Sequence, residues 1–282
     1  MRFADQSHNH HGELQILQTI TRNSDPAHLG HKHASHLLDS FYHEGPNGRH
    51  LCIVLELLGP KISSIVSRRP NYRLDGKVSK KDGSPSETGV PEYFVEPVEH
   101  KFDKSEILDE IQLVDFGESF LIGHPPKSIC TPTSLHPPEL VFRHPLTEAV
   151  DIWNLGCTTY ELVTGRTPFE AWMDNRELIP QFQKVLGGVP DQWIQDALKT
   201  GVLTEEPDIS AANGFSSLED DIQASYANGY DKETLDLNEE DLTILGSYLR
   251  RMCIVEPTRR ASLTELMSHP WAQVEKGVQK EE

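Results

Sequence analysis

The sequence predicts an α+β protein in which a small sheet precedes a mainly helical lobe. Three observations carry this. Two strand-like runs, residues 37–44 and 50–57, flank Gly45-Pro46-Asn47-Gly48, and Asn-Gly between apolar runs is a strong hairpin signal because both residues tolerate positive φ. Beyond residue 149 the apolar residues recur with helical spacing instead. Strands first and helices afterwards define the class.

The elements follow in order. In residues 12–21, Leu14, Leu17 and Ile20 form one apolar stripe of a short helix with Glu13 near its start. The hairpin comes next. Residues 67–103 are polar and rich in turn formers, which predicts loop or linker. A short strand is expected at Ile111-Gln112-Leu113-Val114. Residues 149–164 are apolar nearly all round and end at Gly165, predicting a helix packed on every side. Leu242, Leu245, Leu249 and Met252 mark another helix. A last one opens with the capping box Ser262 to Glu265 and stops near His269-Pro270. No repeat of fixed period occurs.

Composition narrows the function. The 282 residues suffice to bury a core, and 44 acidic against 26 basic side chains give a net charge of −18. That balance argues against nucleic-acid binding through a basic face. With 37% hydrophobic residues and a mean hydropathy of −0.48 the chain reads as globular, and its longest apolar run, Leu51 to Leu58, is too short to cross a bilayer. The first residues carry no apolar signal-peptide core. Cys52, Cys130, Cys157 and Cys253 are widely spaced, as free thiols of a reducing compartment would be. Nine of the fourteen histidines precede residue 51, but no carboxylate or Cys spacing beside them defines a metal site.

An ordered series of motifs carries the chemistry. Asp115-Phe116-Gly117 follows directly on the 111–114 run, and Pro137-Pro138-Glu139 comes just over twenty residues later. Asp151-Ile152-Trp153, Leu155-Gly156, Glu256-Pro257, Arg260 and His269-Pro270-Trp271 complete the series. It resembles the C-terminal lobe of the eukaryotic protein kinases. The runs 37–41, 45–50, 54–60 and 115–120 resemble in particular the SR-protein kinases of the fungal type. The resemblance covers roughly residues 12–272. It implies a partial N-lobe with hinge over 12–60 and a C-lobe over 111–272 with an acidic insert near 201–241. Residues 1–11 then form a disordered start, 61–110 a linker and 273–282 a tail.

It also implies site residues. Asp115 would bind the Mg²⁺ that bridges the ATP phosphates. Glu56 and Leu58 would meet the adenine edge through their backbone, with Leu55 as gatekeeper behind it. Glu13 would be the carboxylate that pairs with the ATP-binding lysine, although a first-turn Glu favoured by the helix dipole explains it equally. Glu139 and Arg260 would form a buried structural ion pair, and Asp151 would hold the backbone of the catalytic loop. Thr131, Thr133 and Ser134 would lie in the activation segment.

Parts of the family pattern are missing. No Gly-rich G-x-G-x-x-G and no strand bearing the ATP-binding lysine occur, and the first helix leaves no room for them upstream. No catalytic loop, H-x-D followed by Asn five residues after the Asp, lies between Gly59 and Asp115; Arg73-Leu74-Asp75 is followed by Lys80 at the Asn position, so Asp75 reads as non-catalytic. The text on either side, Asn71 to Gly76 and Gly89 to Tyr93, resembles family sequence upstream and downstream of the missing loop, as an excision would leave it. No catalytic residue is therefore identified. The family-level expectation is an ATP- and Mg-dependent serine/threonine kinase acting on Arg/Ser-rich proteins, inactive as written, with no direct nucleic-acid or membrane partner and a cytoplasmic or nuclear location. The alternative is a pseudokinase scaffold that binds basic peptides or partner proteins. A third possibility, a product that does not fold, rests on the buried carboxylate expected at Asp151 once its partners are gone. Twelve acidic residues against Lys232 alone between Glu205 and Asp241 fit an Arg-rich partner and a solvated insert equally well.

Overall fold

A computed structural model describes residues 10–28, 30–46, 48–56, 58, 111–171, 174–208, 217–229 and 237–273. The expected disordered start, the 61–110 linker with Asp75, the 273–282 tail and part of the acidic insert lie almost wholly outside these residues. The chain divides into two units, Met1–Phe120 and Leu121–Glu282.

In the first unit, helix α1 (His10–Asn23) buries Leu17 completely and leaves Leu14 and Ile20 half-buried, as the apolar stripe requires. Strands β1 (Leu37–Gly45) and β2 (Gly48–Leu55) pair antiparallel from Gly45 opposite Gly48 to Leu37 opposite Leu55, with a bulge between Leu37 and Asp39. Gly48 stands at φ +110°, a conformation that glycine adopts without strain, where the chain re-enters the ladder. The Leu37 N–H donates to Thr21 Oγ1 at 3.0 Å, fixing β1 to the end of α1.

The strand expected at 111–114 is reduced to one parallel bridge, Ala34 to Leu113. Leu113 N–H donates to His33 O at 2.8 Å and Ser35 N–H to Leu113 O at 3.1 Å. On the N-terminal side the partner segment limits the pairing: His31–His33 is a 3₁₀ turn, and the bridge falls at Ala34, its extended C-cap. The histidines here serve local structure. His33 Nδ1 bonds Ile111 O at 2.8 Å, and the His31 and His36 rings lie 4.4 Å apart and share Ser24 as a partner.

The second unit is helical: α2 (Pro138–Val141), α3 (Ala149–Thr164), α4 (Leu178–Val185), α5 (Asp191–Thr200), α6 (Leu218–Gly229), α7 (Glu239–Met252) and α8 (Leu263–Met267). At its centre Trp153, Phe169 and Phe182 pack with ring centroids 5.2 to 5.5 Å apart, all fully buried. Helix α3 ends on Gly165 at φ +79°, whose N–H donates to Glu161 O at 2.8 Å. Gly156 lets α7 come close: a Cβ there would meet Cys253 Sγ at 2.9 Å and Met252 Cβ at 3.0 Å. All four cysteines are free thiols. Cys157 and Cys253, distant in sequence, meet inside this packing, and the Cys253 thiol together with burial pushes the Cys157 thiol well up.

The expectation that residues 149–164 are packed on every side is corrected. Helix α3 buries Val150, Trp153, Cys157 and Tyr160, but Leu155 is 40% and Leu162 38% exposed, and Asp151 is exposed too. Helices α6 and α7 cover one side of α3. On the opposite face, Asp151, Leu155 and Leu162 stand at i, i+4 and i+11, with no helix packed over them among the described residues.

The acidic segment is largely structural where it is described. Glu219, Asp220 and Asp221 occupy the first turn of α6 and Glu239, Glu240 and Asp241 that of α7, where the helix dipole favours carboxylates. Asn238 and Asp241 complete a capping box. Arg250 grips Glu219, with 3.0 Å from Nε to Oε1, and Arg166 pairs with Asp221. The Tyr160 hydroxyl donates to Asp221 Oδ2 at 2.8 Å, and burial above all pushes that phenol up to about 12.

Candidate active site

The first unit carries the nucleotide-facing candidates. Asp115 lies two residues past the Leu113 bridge in left-handed backbone, φ +63°. A non-glycine residue held there is strained, and such strain clusters at functional positions. Gly117 makes room beside it, since a Cβ there would approach Asp115 Oδ1 to 3.3 Å. Ser119 N–H donates to Phe116 O at 3.1 Å and closes the turn that presents the exposed carboxylate. No cluster of three or more His, Cys, Asp or Glu side chains able to hold a metal exists among the described residues. A single exposed carboxylate is nonetheless sufficient protein ligation for Mg²⁺ that arrives with phosphates, because Mg²⁺ keeps most of its water and is commonly held by one or two carboxylates plus substrate oxygens. The donor at Asp115 fits that role.

The β1–β2 ladder ends at Leu55, so the backbone of Glu56 and of Leu58 lies beyond the sheet hydrogen bonds. Leu55 is half-buried and Leu58 is 37% exposed. Gln112 Nε2 donates to Glu56 Oε2 at 3.4 Å, which brings the end of β2 beside the segment leading to Asp115. Glu13 is half-buried in the first turn of α1. No cation pairs with it among the described residues.

In the second unit, Arg260 is 1% and Glu139 0% exposed at the side chain. Nη1 donates to Glu139 Oε1 at 2.8 Å and Nη2 to Oε2 at 2.6 Å, a bidentate pair. The other donors reach Ala149 O at 2.7 Å, Ile254 O at 2.9 Å and Val255 O at 3.5 Å, so all five guanidinium hydrogens are used. The Trp153 ring lies 5.1 Å from the guanidinium carbon. This cluster ties α2 to the start of α3 and to the chain after α7.

Asp151 differs from its expected part. Partial desolvation pushes its carboxyl above the usual range, and nothing donates to it among the described residues. Because the residue is exposed, the penalty of a fully buried unpaired charge does not apply to it. Thr131, Thr133 and Ser134 are half-buried, and Thr131 O accepts from His136 Nε2 at 2.9 Å. Sequence reasoning missed the Tyr160–Asp221–Arg166 cluster. Its signal was an Arg just past a helix-ending glycine and an acidic triplet some fifty residues on, a spacing with no pattern to it.

Comparison with known proteins identifies the family. The protein kinase domain model matches residues 102–272, and the chain belongs to that family. The chain is 52% identical over 54 residues to Protein kinase dsk1 of Schizosaccharomyces pombe, covering 19% of this chain and 10% of that protein. It is 23% identical over 286 residues to Dual specificity protein kinase CLK4 of Homo sapiens, covering 92% of this chain and 56% of that protein. Serine/threonine-protein kinase Doa of Drosophila melanogaster is 23% identical over 294 residues, covering 92% and 33%. The chain thus spans about half the length, or less, of these curated relatives. Among the described residues no helix is long and apolar enough to cross a membrane.

Proposed function

We propose that this chain is a serine/threonine kinase domain of the SR-protein kinase type that, as written, binds Mg-ATP but does not transfer phosphate. The supporting observation is the open face of α3. In the family resemblance Asp151 holds the catalytic loop by hydrogen bonds; here nothing donates to its carboxyl among the described residues, and two leucines beside it are exposed. The sequence between Gly59 and Asp115 supplies no H-x-D-x-x-x-x-N to fill that place. Base and second Mg²⁺ ligand are then both absent. In related phosphoryl transfers a single transition-state contact is worth ~10³–10⁵ in rate, and such losses do not simply add.

The residues assigned to the nucleotide are those named from the sequence. Asp115 contributes a carboxylate oxygen to Mg²⁺, Glu56 and Leu58 offer backbone groups to the adenine, and Leu55 lies behind it. Glu13 is the carboxylate left without its lysine. Glu139 and Arg260 hold the lobe together. The partner in this reading is an Arg/Ser-rich protein, met in the cytoplasm or nucleus, and the domains follow the boundaries 12–60 and 111–272. The dsk1 and Doa relatives support the protein-kinase and serine/threonine-kinase parts of this reading. A scaffold role rests on the same open α3 face, which would hold a partner without turnover.

Thermal melting with and without Mg-ATP tests nucleotide binding. A cooperative transition that moves up with millimolar Mg-ATP, and does not move in Asp115→Ala, is expected. A transition that nucleotide leaves in place rejects the ATP site and leaves the scaffold reading.

A further inference from the structure

Helix α2 closes with two backbone bonds, His144 N–H to Glu139 O at 2.7 Å and Arg143 N–H to Leu140 O at 3.2 Å. These are the 6→1 and 5→2 bonds of a Schellman cap, whose penultimate residue must be left-handed. Arg143 takes that place at φ +56°. Glycine normally fills it, because a Cβ crowds the neighbouring carbonyl. The strain is held by an arginine whose side chain is exposed and pairs with no carboxylate among the described residues, in a chain where acids outnumber bases 44 to 26.

Arg143 lines a cavity of about 260 Å³ between the cap and α5, together with Phe142, His144, Trp193, Asp196 and Thr200 among others. The His144 ring stacks on Trp193 at 4.1 Å, and Phe142 meets Trp193 edge-on at 5.6 Å. Neither ring nitrogen of His144 has a hydrogen-bond partner among the described residues. Asp196 is already engaged, by Gln192 Nε2 at 2.8 Å and Lys199 Nζ at 3.5 Å. The cavity thus brings together aromatic rings, an arginine paired with no carboxylate and an imidazole whose nitrogens have no hydrogen-bond partner among the described residues.

We propose that this cavity binds a ligand ending in an oxyanion, a carboxylate or a phosphate, with the Arg143 guanidinium as its anchor and the Trp193 ring as its floor. The planar fork of arginine matches a carboxylate or a phosphate bidentately. His144 is the second donor. Empty, it is held towards neutrality by burial against the opposing pull of Asp196 and Glu139; an oxyanion beside it reverses that balance. The strained backbone at Arg143 is retained because glycine, the unstrained choice, would remove the anchor.

The test titrates the full chain separately with phenyl phosphate and phenylacetate, following the His144 ring and Trp193 indole resonances by NMR. Saturable shifts at both residues are expected, with His144 titrating at higher pH when the probe is bound. Arg143→Gly weakens binding at least tenfold and raises the melting temperature, while Arg143→Lys, which keeps the charge without the fork, binds with intermediate affinity. Saturation by phenyl phosphate alone assigns a phosphate monoester as occupant, and saturation by both probes shows that a carboxylate suffices. No saturable shift with either probe overturns the proposal. So does Arg143→Gly binding as the parent does, or melting below it.

Discussion

Arg260 shows how one side chain organises a lobe. Its five donors meet a carboxylate and three carbonyls while its face approaches Trp153, all out of water. A buried pair of this kind adds little over a well-packed apolar substitute, but removing one partner strands the other and costs about 3–5 kcal/mol. Arg260→Ala and Glu139→Ala should each lower stability by that amount in urea unfolding. The double variant should cost less than the sum. Full additivity would show that the two side chains are not coupled. Two histidines give the pH dependence. Burial holds His144 and His269 below their usual pKa. His269 takes the Trp271 N–H on Nδ1 at 3.2 Å and bonds Ser247 Oγ through Nε2 at 3.0 Å, an arrangement that needs the neutral ring. The sign follows: a folded-state pKa below the unfolded value means the folded state resists protonation. Their stabilisation is complete above about pH 6.5 and is lost as pH falls through that value towards the folded pKa. Melting temperature should fall between pH 7 and pH 5.5, and His269→Gln should flatten part of that slope. A pH-independent melt over this range would contradict it.

At the scale of elements, the reading of α3 failed instructively. Its sixteen residues look apolar all round, and periodicity therefore assigns it to the centre of the lobe. The structure covers the Trp153, Cys157 and Tyr160 side and leaves Leu155 and Leu162 in the open. Pattern reports what a helix can bury; what is present to bury it is decided by other segments. Trp153→Ala should accordingly cost about 3–5 kcal/mol, whereas Leu155→Gln and Leu162→Gln should each stay within about 0.5 kcal/mol in denaturant melts. Large losses at the leucines would mean that something packs on that face. The hairpin was legible because its turn and alternation are local, and its register needs nothing beyond residues 37–55. The strand at 111–114 was not, because its pairing depends on a turn at His31–His33 some eighty residues earlier. Both capping boxes lie in local sequence, but only Ser262 to Glu265 was read from it; Asn238 with Asp241 went unnoticed inside an acidic run. The Schellman cap at Arg143 escaped notice because the residue that usually announces it, glycine, is absent.

For the whole molecule, the net charge of −18 has acquired structure without acquiring a partner. Of the acidic residues between Glu205 and Asp241, those described serve chiefly as helix starts and as partners of Arg166 and Arg250. The candidate site divides in the same way. Asp115 and the Glu139–Arg260 pair could be named from the sequence because short motifs fix them. The carboxyl of Asp151, which has no donor among the described residues, could not, since its surroundings are set by segments distant in sequence. In the proposed function this kinase-family chain does not transfer phosphate. Radiolabelled transfer from Mg-ATP to an Arg/Ser-repeat peptide tests it most directly. The account predicts incorporation at background for the chain and for Asp115→Ala alike. Turnover by the chain that disappears in Asp115→Ala would contradict it.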